Sequence, residues 1–380
     1  MNAMNALFVK PRVKKARSCQ PWVLALLCQT LLTSLAIAQK RDCGTVLSPE
    51  VIEWDRARIS AGKPSYPVLA ATLPYHIPVT VHVVRQSNGT GGLRLGQLDT
   101  AMQDINSKYA PDMQFYQYGG IDYINSDLFY NCPDSQQVRD SLAQTNRVAS
   151  TLNVYFTNLV NLCGQNTSGV SSNISVLVDI ACGNPDRPAS FAHEVGHQFS
   201  LRHTFDTSSG IECPSGSNCA TAGDLVCDTP ADPLCGTDTN YCTTCTVDSN
   251  CIYSGACPAP AGCDATLYAP PTTNIMHYYS QECRLVFTAG QRSRMDSYLE
   301  SSRTTYFVKT KYVDAAYVGT ESGTPSQPFN TVTEAVNAAN PGDYIFIKSG
   351  DYPSDTPTIT KRVFIGKWNI GGSPVVIGGT

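Results

Sequence analysis

The residues best suited to chemistry in this chain lie in one short stretch, His193-Glu194-Val195-Gly196-His197. On an α-helix, positions i and i+4 sit one turn apart on the same face, so His193 and His197 can offer two imidazoles to one metal ion. Glu194 follows the first ligand and can reach a water held by that metal, as a general base must. His203 supplies a third nitrogen if the chain turns sharply after the helix and folds back. Three protein ligands with an open fourth position mark a catalytic rather than a structural zinc site. The chemistry implied is hydrolysis by metal-activated water. His76 and His82 flank or lie in an apolar strand and read as packing or surface residues.

Elements able to hold such a helix can be read around it. Ile77, Val79, Val81 and Val83 alternate with other residues, which predicts a strand. Asn88 to Gly92 reads as a turn, and apolar residues at 98, 101, 102, 105 and 109 form a helical stripe stopped by Pro111. Further strands are expected at Met113–Tyr118, Leu152–Phe156 and Ile174–Ile180, with the metal-binding helix running from Phe191. Residues 206–273 are rich in Cys, Gly, Pro, Asp and Thr and show little periodicity. A loop that long needs staples. Helical pattern resumes from Thr288 to Leu299, and beyond residue 306 the chain is β-rich, with strands at Asp343–Lys348 and Val363–Gly366.

Length and composition bound the setting. A chain of 380 residues, 42% hydrophobic, predicts two folded units with a sizeable core. Residues 1–38 hold five of its 27 bases and none of its 31 acids. Without them 22 bases remain, and the formal charge moves from −4 to −9. An acidic protein of this kind argues against nucleic acid or an anionic membrane as partner. The basic start, the apolar runs Trp22–Cys28 and Leu31–Ile37, and Ala36-Ile37-Ala38 read as a secretory signal cut before Gln39. A membrane anchor is the rival reading, but Gln29 and Thr30 interrupt the run. Fourteen of the 16 cysteines follow that cut, nine of them between Cys213 and Cys263, as in a disulfide framework. Cys242-Thr243-Thr244-Cys245 leaves a second zinc site as the minority alternative.

Four segments, in order, resemble the metzincin metallopeptidases and within them the pappalysin branch, which includes ulilysin-like enzymes. They are Ile77–Val84, Ala192–Phe205, Gly223–Pro230, and Asn274–Tyr278 followed by Cys283 and Phe287–Gln291. The resemblance spans roughly residues 75–300. It implies an α+β catalytic domain with a twisted mixed sheet, an active-site helix and a Cys-rich irregular lower part. It also implies a secreted, zinc-dependent endopeptidase acting on extracellular proteins or peptides. His193, His197 and His203 would bind one zinc ion, and Glu194 would activate the zinc-bound water and later protonate the leaving amine. Met276 would form the apolar floor of a Met-turn, and Tyr278 would steady the tetrahedral intermediate. His277 points away and is no fourth ligand.

The same resemblance makes Asp224, Asp228 and the Thr229 carbonyl a calcium loop, with a solvated acidic turn as the alternative. Ser200 stands where the family has Gly; a turn with positive φ there costs a non-glycine residue about 1 kcal/mol or more. Arg41-Asp42-Cys43-Gly44-Thr45 resembles a motif near the start of pro-segments in this branch. Cys43 would then occupy the open zinc position and hold the enzyme latent; an ordinary disulfide is the other reading. Glu282, just past the Met-turn, would favour a basic residue after the scissile bond.

The expected organisation is a signal peptide (1–38), a pro-segment or N-terminal extension (39–74), the metallopeptidase domain (75–305) and a C-terminal segment (306–380). The last resembles the opening of a pectate-lyase-like, right-handed parallel β-helix, with room for only a capping helix and about two turns. Two rivals to the protease reading are a carbohydrate-active protein working through that β-helix, and a weakly active or inactive metzincin-like adhesion module. Length argues against the first. Glu194 and Tyr278 argue against the second, because binding alone needs neither. The sequence leaves oligomeric state open.

Overall fold

The computed structural model describes residues 43–380 apart from 63–65, 67–73, 168–174, 183–188, 236–241, 243, 265, 370–372 and 379–380. The expected signal sequence and its cut, together with Arg41, Asp42, Thr243 and Ile174, lie outside the described residues. Among the described residues no helix is long and apolar enough to cross a membrane.

The part expected to be an N-terminal extension contains a helix, α1 (Pro49–Ser60). Its signals are local: the Ser48 hydroxyl accepts from the Val51 N–H, Pro49 opens the helix and Glu50 lies in its first turn. Then come β1 (Tyr75–Arg85), α2 (Leu95–Tyr109), β2 (Met113–Gln117) and β3 (Asp122–Asn125). These are followed by α3 (Asp127–Tyr130), β4 (Asn131–Cys132), α4 (Gln136–Gln144), β5 (Leu152–Leu159), β6 (Gly164–Asn166) and β7 (Ser175–Asp179). The strands form one sheet in the order β2-β1-β5-β7-β6, with β3 also paired to β1 and β4 to β5. Every pairing in it is parallel except β6 against β7.

Strand β1 is buried from Tyr75 to Val84 because the sheet is covered on both faces. Ile77, Val79, Val81 and Val83 join a core with Leu98, Ala101, Ile105 and Tyr109 of α2. Val84, Tyr155 and Leu177 face the other way, against Leu142 and Ala143 of α4. The first core also receives Phe191, Ala192, Val195 and Phe199 from the helix α5 (Ala189–Gln198) and its C-terminal cap. That burial fixes which way the opposite face of α5, with both histidines, must look.

Among its described residues the Cys-rich region holds a short hairpin, β8 (Cys245–Val247) with β9 (Tyr253–Gly255), and is stapled by disulfides. Cys213–Cys263, Cys219–Cys227, Cys235–Cys245, Cys242–Cys257 and Cys251–Cys283 lie in or end on it, and Cys163–Cys182 ties the sheet region. The CxxC cysteines are thus each bonded to another cysteine, which leaves them as staples and not as ligands of a second zinc ion. Among the described residues Cys43 and Cys132 are free, and Cys43 has no disulfide partner. Helix α6 (Ala289–Ser302) follows, opened by a capping box between Thr288 and Gln291.

Residues beyond 306 give β10 (Thr310–Val313), α7 (Val332–Ala338), β11 (Tyr344–Ile347), β12 (Gly350–Tyr352), β13 (Phe364–Lys367) and β14 (Val375–Ile377). β10-β11-β13 and β12-β14 form two separate parallel ladders. This piece is not detached. Tyr312, Phe346 and Trp368 belong to the same core as β1, and the Trp368 indole N–H donates to the Pro74 carbonyl at 2.9 Å.

Candidate metal centre

Helix α5 ends in a Schellman motif: the Leu201 N–H donates to the Gly196 carbonyl and the Ser200 N–H to the His197 carbonyl. Ser200 takes the left-handed conformation, φ 73°, that the sharp exit requires. The strain expected of a residue other than glycine is met by neighbours. Arg294 of α6 donates from Nε and Nη2 to the Ser200 carbonyl (3.1 and 2.9 Å) and from Nε to its hydroxyl (3.2 Å). The chain then doubles back and delivers His203, whose ring stacks on Phe205 with centroids 4.9 Å apart.

The three imidazoles meet. His197 Nε2 lies 3.2 Å from His193 Nε2 and 3.0 Å from His203 Nε2. The Nδ1 atoms of His193 and His197 face the carbonyls of Ile275 and Leu201, each at 2.8 Å. A carbonyl only accepts, so both Nδ1 atoms carry the proton. Burial holds His193 and His203 well below the usual imidazole range and His197 down at about 4, so the rings are neutral and the Nε2 atoms of His193 and His197 are bare. Bare lone pairs this close repel unless a cation lies between them. Four nitrogen or sulfur ligands around zinc stand about 3.3 Å (N to N) and about 3.6 Å (N to S) apart, from Zn–N near 2.05 Å and Zn–S near 2.3 Å. Cys43 Sγ is 3.6 Å from His197 Nε2, and the ligand atoms of Cys43, His193, His197 and His203 all lie within 4.8 Å of one another. The residues present fit zinc.

Glu194 is fully buried beside them. Its Oε2 accepts from the Thr45 hydroxyl at 2.6 Å, and burial pushes its pKa up to about 7 against the lowering effect of Thr45. The main chain of β6 closes over it: a Cβ on Gly164 would fall 2.7 Å from Glu194 Cγ, so only glycine fits. Residues 43–45 lie along the same strand. The Gly44 N–H donates to the Gly164 carbonyl, Gln165 Nε2 donates to the Gly44 carbonyl and the Asn166 N–H to Thr45 Oγ1.

Met276 is buried under α5, where Gly196 gives way to it. A Cβ there would stand 2.5 Å from the Met276 sulfur. Tyr278 lies 4.7 Å from the His203 ring, and its hydroxyl donates to the Cys43 carbonyl at 3.4 Å. His277 turns away as expected, its Nε2 on the Thr272 carbonyl and its Nδ1 accepting from the Tyr279 N–H. Asp232, which sequence reasoning did not single out, is buried and joins the two halves of the site. It accepts from Thr204 Oγ1 and from the Tyr279 hydroxyl, each at 2.6 Å.

The loop expected to bind calcium is divided. Asp228 accepts from Thr288 Oγ1 and the Gly290 N–H, capping α6. Asp224 is buried beside Glu212, and burial with their mutual repulsion raises Glu212 to about 8 while burial raises Asp224 to about 7. Glu282 is exposed and accepts from the Ser280 hydroxyl.

Residues 138–300 match the peptidase M43 family model, described as pregnancy-associated plasma protein-A. An extracellular metalloprotease of Colletotrichum graminicola is 32% identical over 294 residues, covering 72% of this chain and 95% of that protein. One from Neurospora crassa is 26% identical over 289 residues, covering 69% of this chain and 89% of that protein. A promirolysin variant from Tannerella forsythia, a solved structure, is 19% identical with a TM-score of 0.47 and covers 70% of this chain and 97% of that one. Identity of this extent with the Colletotrichum protein, together with the family match across the histidine helix and the Met-turn, places the chain in the pappalysin family of metalloendopeptidases.

Proposed function

We propose that this protein is a secreted zinc endopeptidase held latent by its own N-terminal segment, with Glu194 as general base. The observation that carries the reading is the convergence of three histidine Nε2 atoms and the Cys43 thiol on one point beside Glu194. When bound, zinc supplies Lewis-acid polarisation of the scissile carbonyl and acidifies its water. Glu194 takes the proton of the attacking water and returns it to the leaving amine. The Tyr278 hydroxyl donates to the developing oxyanion. Met276, packed against Gly196, sets the height of α5, and Asp232 ties Thr204, next to His203, to the Met-turn.

Latency follows from the same contacts. Cys43 would occupy the fourth ligand position, the Thr45 hydroxyl holds Glu194, and the Cys43 carbonyl holds the Tyr278 hydroxyl. Three working groups are therefore covered by two residues, Cys43 and Thr45. Activation requires their removal, after which a polypeptide substrate takes the place of residues 43–45 along β6.

Zinc analysis of the secreted chain, with casein cleavage by Cys43→Ala and Cys43→Ala/Glu194→Ala proteins, tests this reading. We expect one zinc per chain, activity in the first variant and none in the second. Equal activity in both would overturn the role of Glu194. No activity in either, with zinc bound, would favour the adhesion-module alternative. Calcium at Asp224 is supported by the paired buried carboxylates of Asp224 and Glu212, which a divalent cation would relieve. Preference for a basic residue after the scissile bond through Glu282 is tested by cleavage-site profiling; absence of Arg and Lys there would reject it. The two parallel ladders at 310–377 support the β-helix reading of the C-terminal segment.

A further inference from the structure

Asp55 lies in α1, yet its carboxylate is buried between two guanidinium groups of the unit that carries the metal ligands. Arg202 forks onto Oδ2 through Nε at 3.1 Å and Nη2 at 2.7 Å. Arg294 Nη2 reaches Oδ1 at 2.9 Å and Oδ2 at 3.1 Å. Both arginines are as buried as the carboxylate. Neither depends on Asp55 for its placement. Arg294 is tethered to Ser200 as described; its Nη1 donates to the hydroxyl of Tyr66, which belongs to the N-terminal extension and not to that unit. Arg202 Nη1 donates to the hydroxyls of Ser208 (3.0 Å) and Ser209 (2.9 Å), with Asp206 at 3.4 Å. Two buried cations are aimed at one point by their own unit, and the anion that meets them comes from the segment that bears Cys43.

We propose that Arg202 and Arg294 form a carboxylate-binding site of the catalytic unit, filled in this chain by Asp55 and open to a carboxylate from another molecule once α1 leaves. A two-pronged guanidinium with a second one beside it matches a planar anion with two oxygens, the shape of an acidic side chain, a peptide C-terminus or a small organic acid. The site touches the metal centre through the main chain. Arg202 directly precedes His203, and Arg294 holds the carbonyl of Ser200, where α5 turns toward that ligand. A carboxylate here therefore stabilises the loop that delivers the third histidine. The inference rests on the reading that the segment with Cys43 is released.

The test uses the full chain. Asp55→Ala leaves a hole between the two arginines, and the variant should melt at least about 5 °C lower than the parent because two buried cations lose their anion. Sodium acetate should recover most of that loss, while sodium chloride at equal ionic strength should not. Asp55→Asn, which fills the hole with a neutral isostere, should be destabilised and not recovered. A short aspartate-containing peptide run beside acetate separates the sources: recovery by both assigns a polypeptide side chain, and recovery by acetate alone a small acid. Equal effects of acetate and chloride, or recovery of Asp55→Asn by acetate, would overturn the proposal. Melting reports this site and the activity of Cys43→Ala reports latency, so either reading can fail without the other.

Discussion

Thr45→Val is the most informative single change, because it removes one hydroxyl and keeps the shape of the side chain. In the structure that hydroxyl donates to Glu194 Oε2 at 2.6 Å and accepts from the Asn166 N–H at 2.7 Å. A hydrogen bond to a charged partner contributes about 1.5–3 kcal/mol. When residues 43–45 lift away, water can meet Glu194 and Asn166 again, so the loss falls on the closed state alone. At about 1.4 kcal/mol per factor of ten, the population of open chains should rise roughly 10- to 150-fold. The assay is the initial rate on a fluorogenic peptide, measured with unprocessed protein before any cleavage of the chain, beside Cys43→Ala as the fully opened reference. We expect Thr45→Val to lie between the parent and that reference. A rate within about twofold of the parent, in protein whose Cys43→Ala form is active, would refute the claim that the general base is latched separately from the metal.

Other substitutions probe the scaffold. Gly196→Ala places a methyl 2.5 Å from the Met276 sulfur in a filled core. Denaturant unfolding should show a loss of about 1–3 kcal/mol, and competition with a chelator weaker zinc binding. Ser200→Gly relieves about 1 kcal/mol of left-handed strain but gives up the Arg294 contact to the hydroxyl and adds freedom to the unfolded chain. The net change should stay within about 1 kcal/mol, and a larger change in either direction would show that one of these effects has been misjudged. Glu212 and Asp224 titrate upward in the folded protein, to about 8 and about 7. The native state therefore holds more protons than the unfolded one. Their contribution is most favourable below about pH 4 and is lost as pH rises toward 8. Melting temperatures at pH 5 and 8.5 should show this loss, and added calcium should cancel it if Asp224 binds that ion.

The metal site was legible because its information is local and chemical. His193 and His197 need only one helical turn to converge, and His203 and Tyr278, singled out by the family resemblance, lie beside them. The strands at 75–85, 113–117 and 152–159 were legible from their apolar residues, though the alternation at Ile77–Val83 implied one buried face where β1 is buried on both. What the sequence hid depends on distant partners. Asp55 reads as one acid on a polar helix until Arg202 and Arg294 close around it. Asp232 reads as a loop residue until Thr204 and Tyr279 donate to it. Helix α1 was readable in principle from Ser48-Pro49-Glu50, but its weak amphipathic pattern offers no apolar stripe. At Ser200 the sequence raised a doubt about the turn, and the answer lay in an arginine ninety-four residues away.

The bond from Trp368 to the Pro74 carbonyl has a consequence in time. It joins positions 294 residues apart, and Tyr312 meets the first strand in the same way, its hydroxyl accepting from the His76 N–H at 2.7 Å. The opening strand of the sheet thus has its end sealed by residues 236 and 294 positions further along the chain. Contacts of such long range form late, since the intervening chain must first surrender its freedom. The histidine helix is made well before Tyr312 and Trp368, which seal that strand. Residues 43–45, which we propose silence the site, are made before both. On that reading the order of the chain puts restraint ahead of competence, because the covering residues precede the centre they cover.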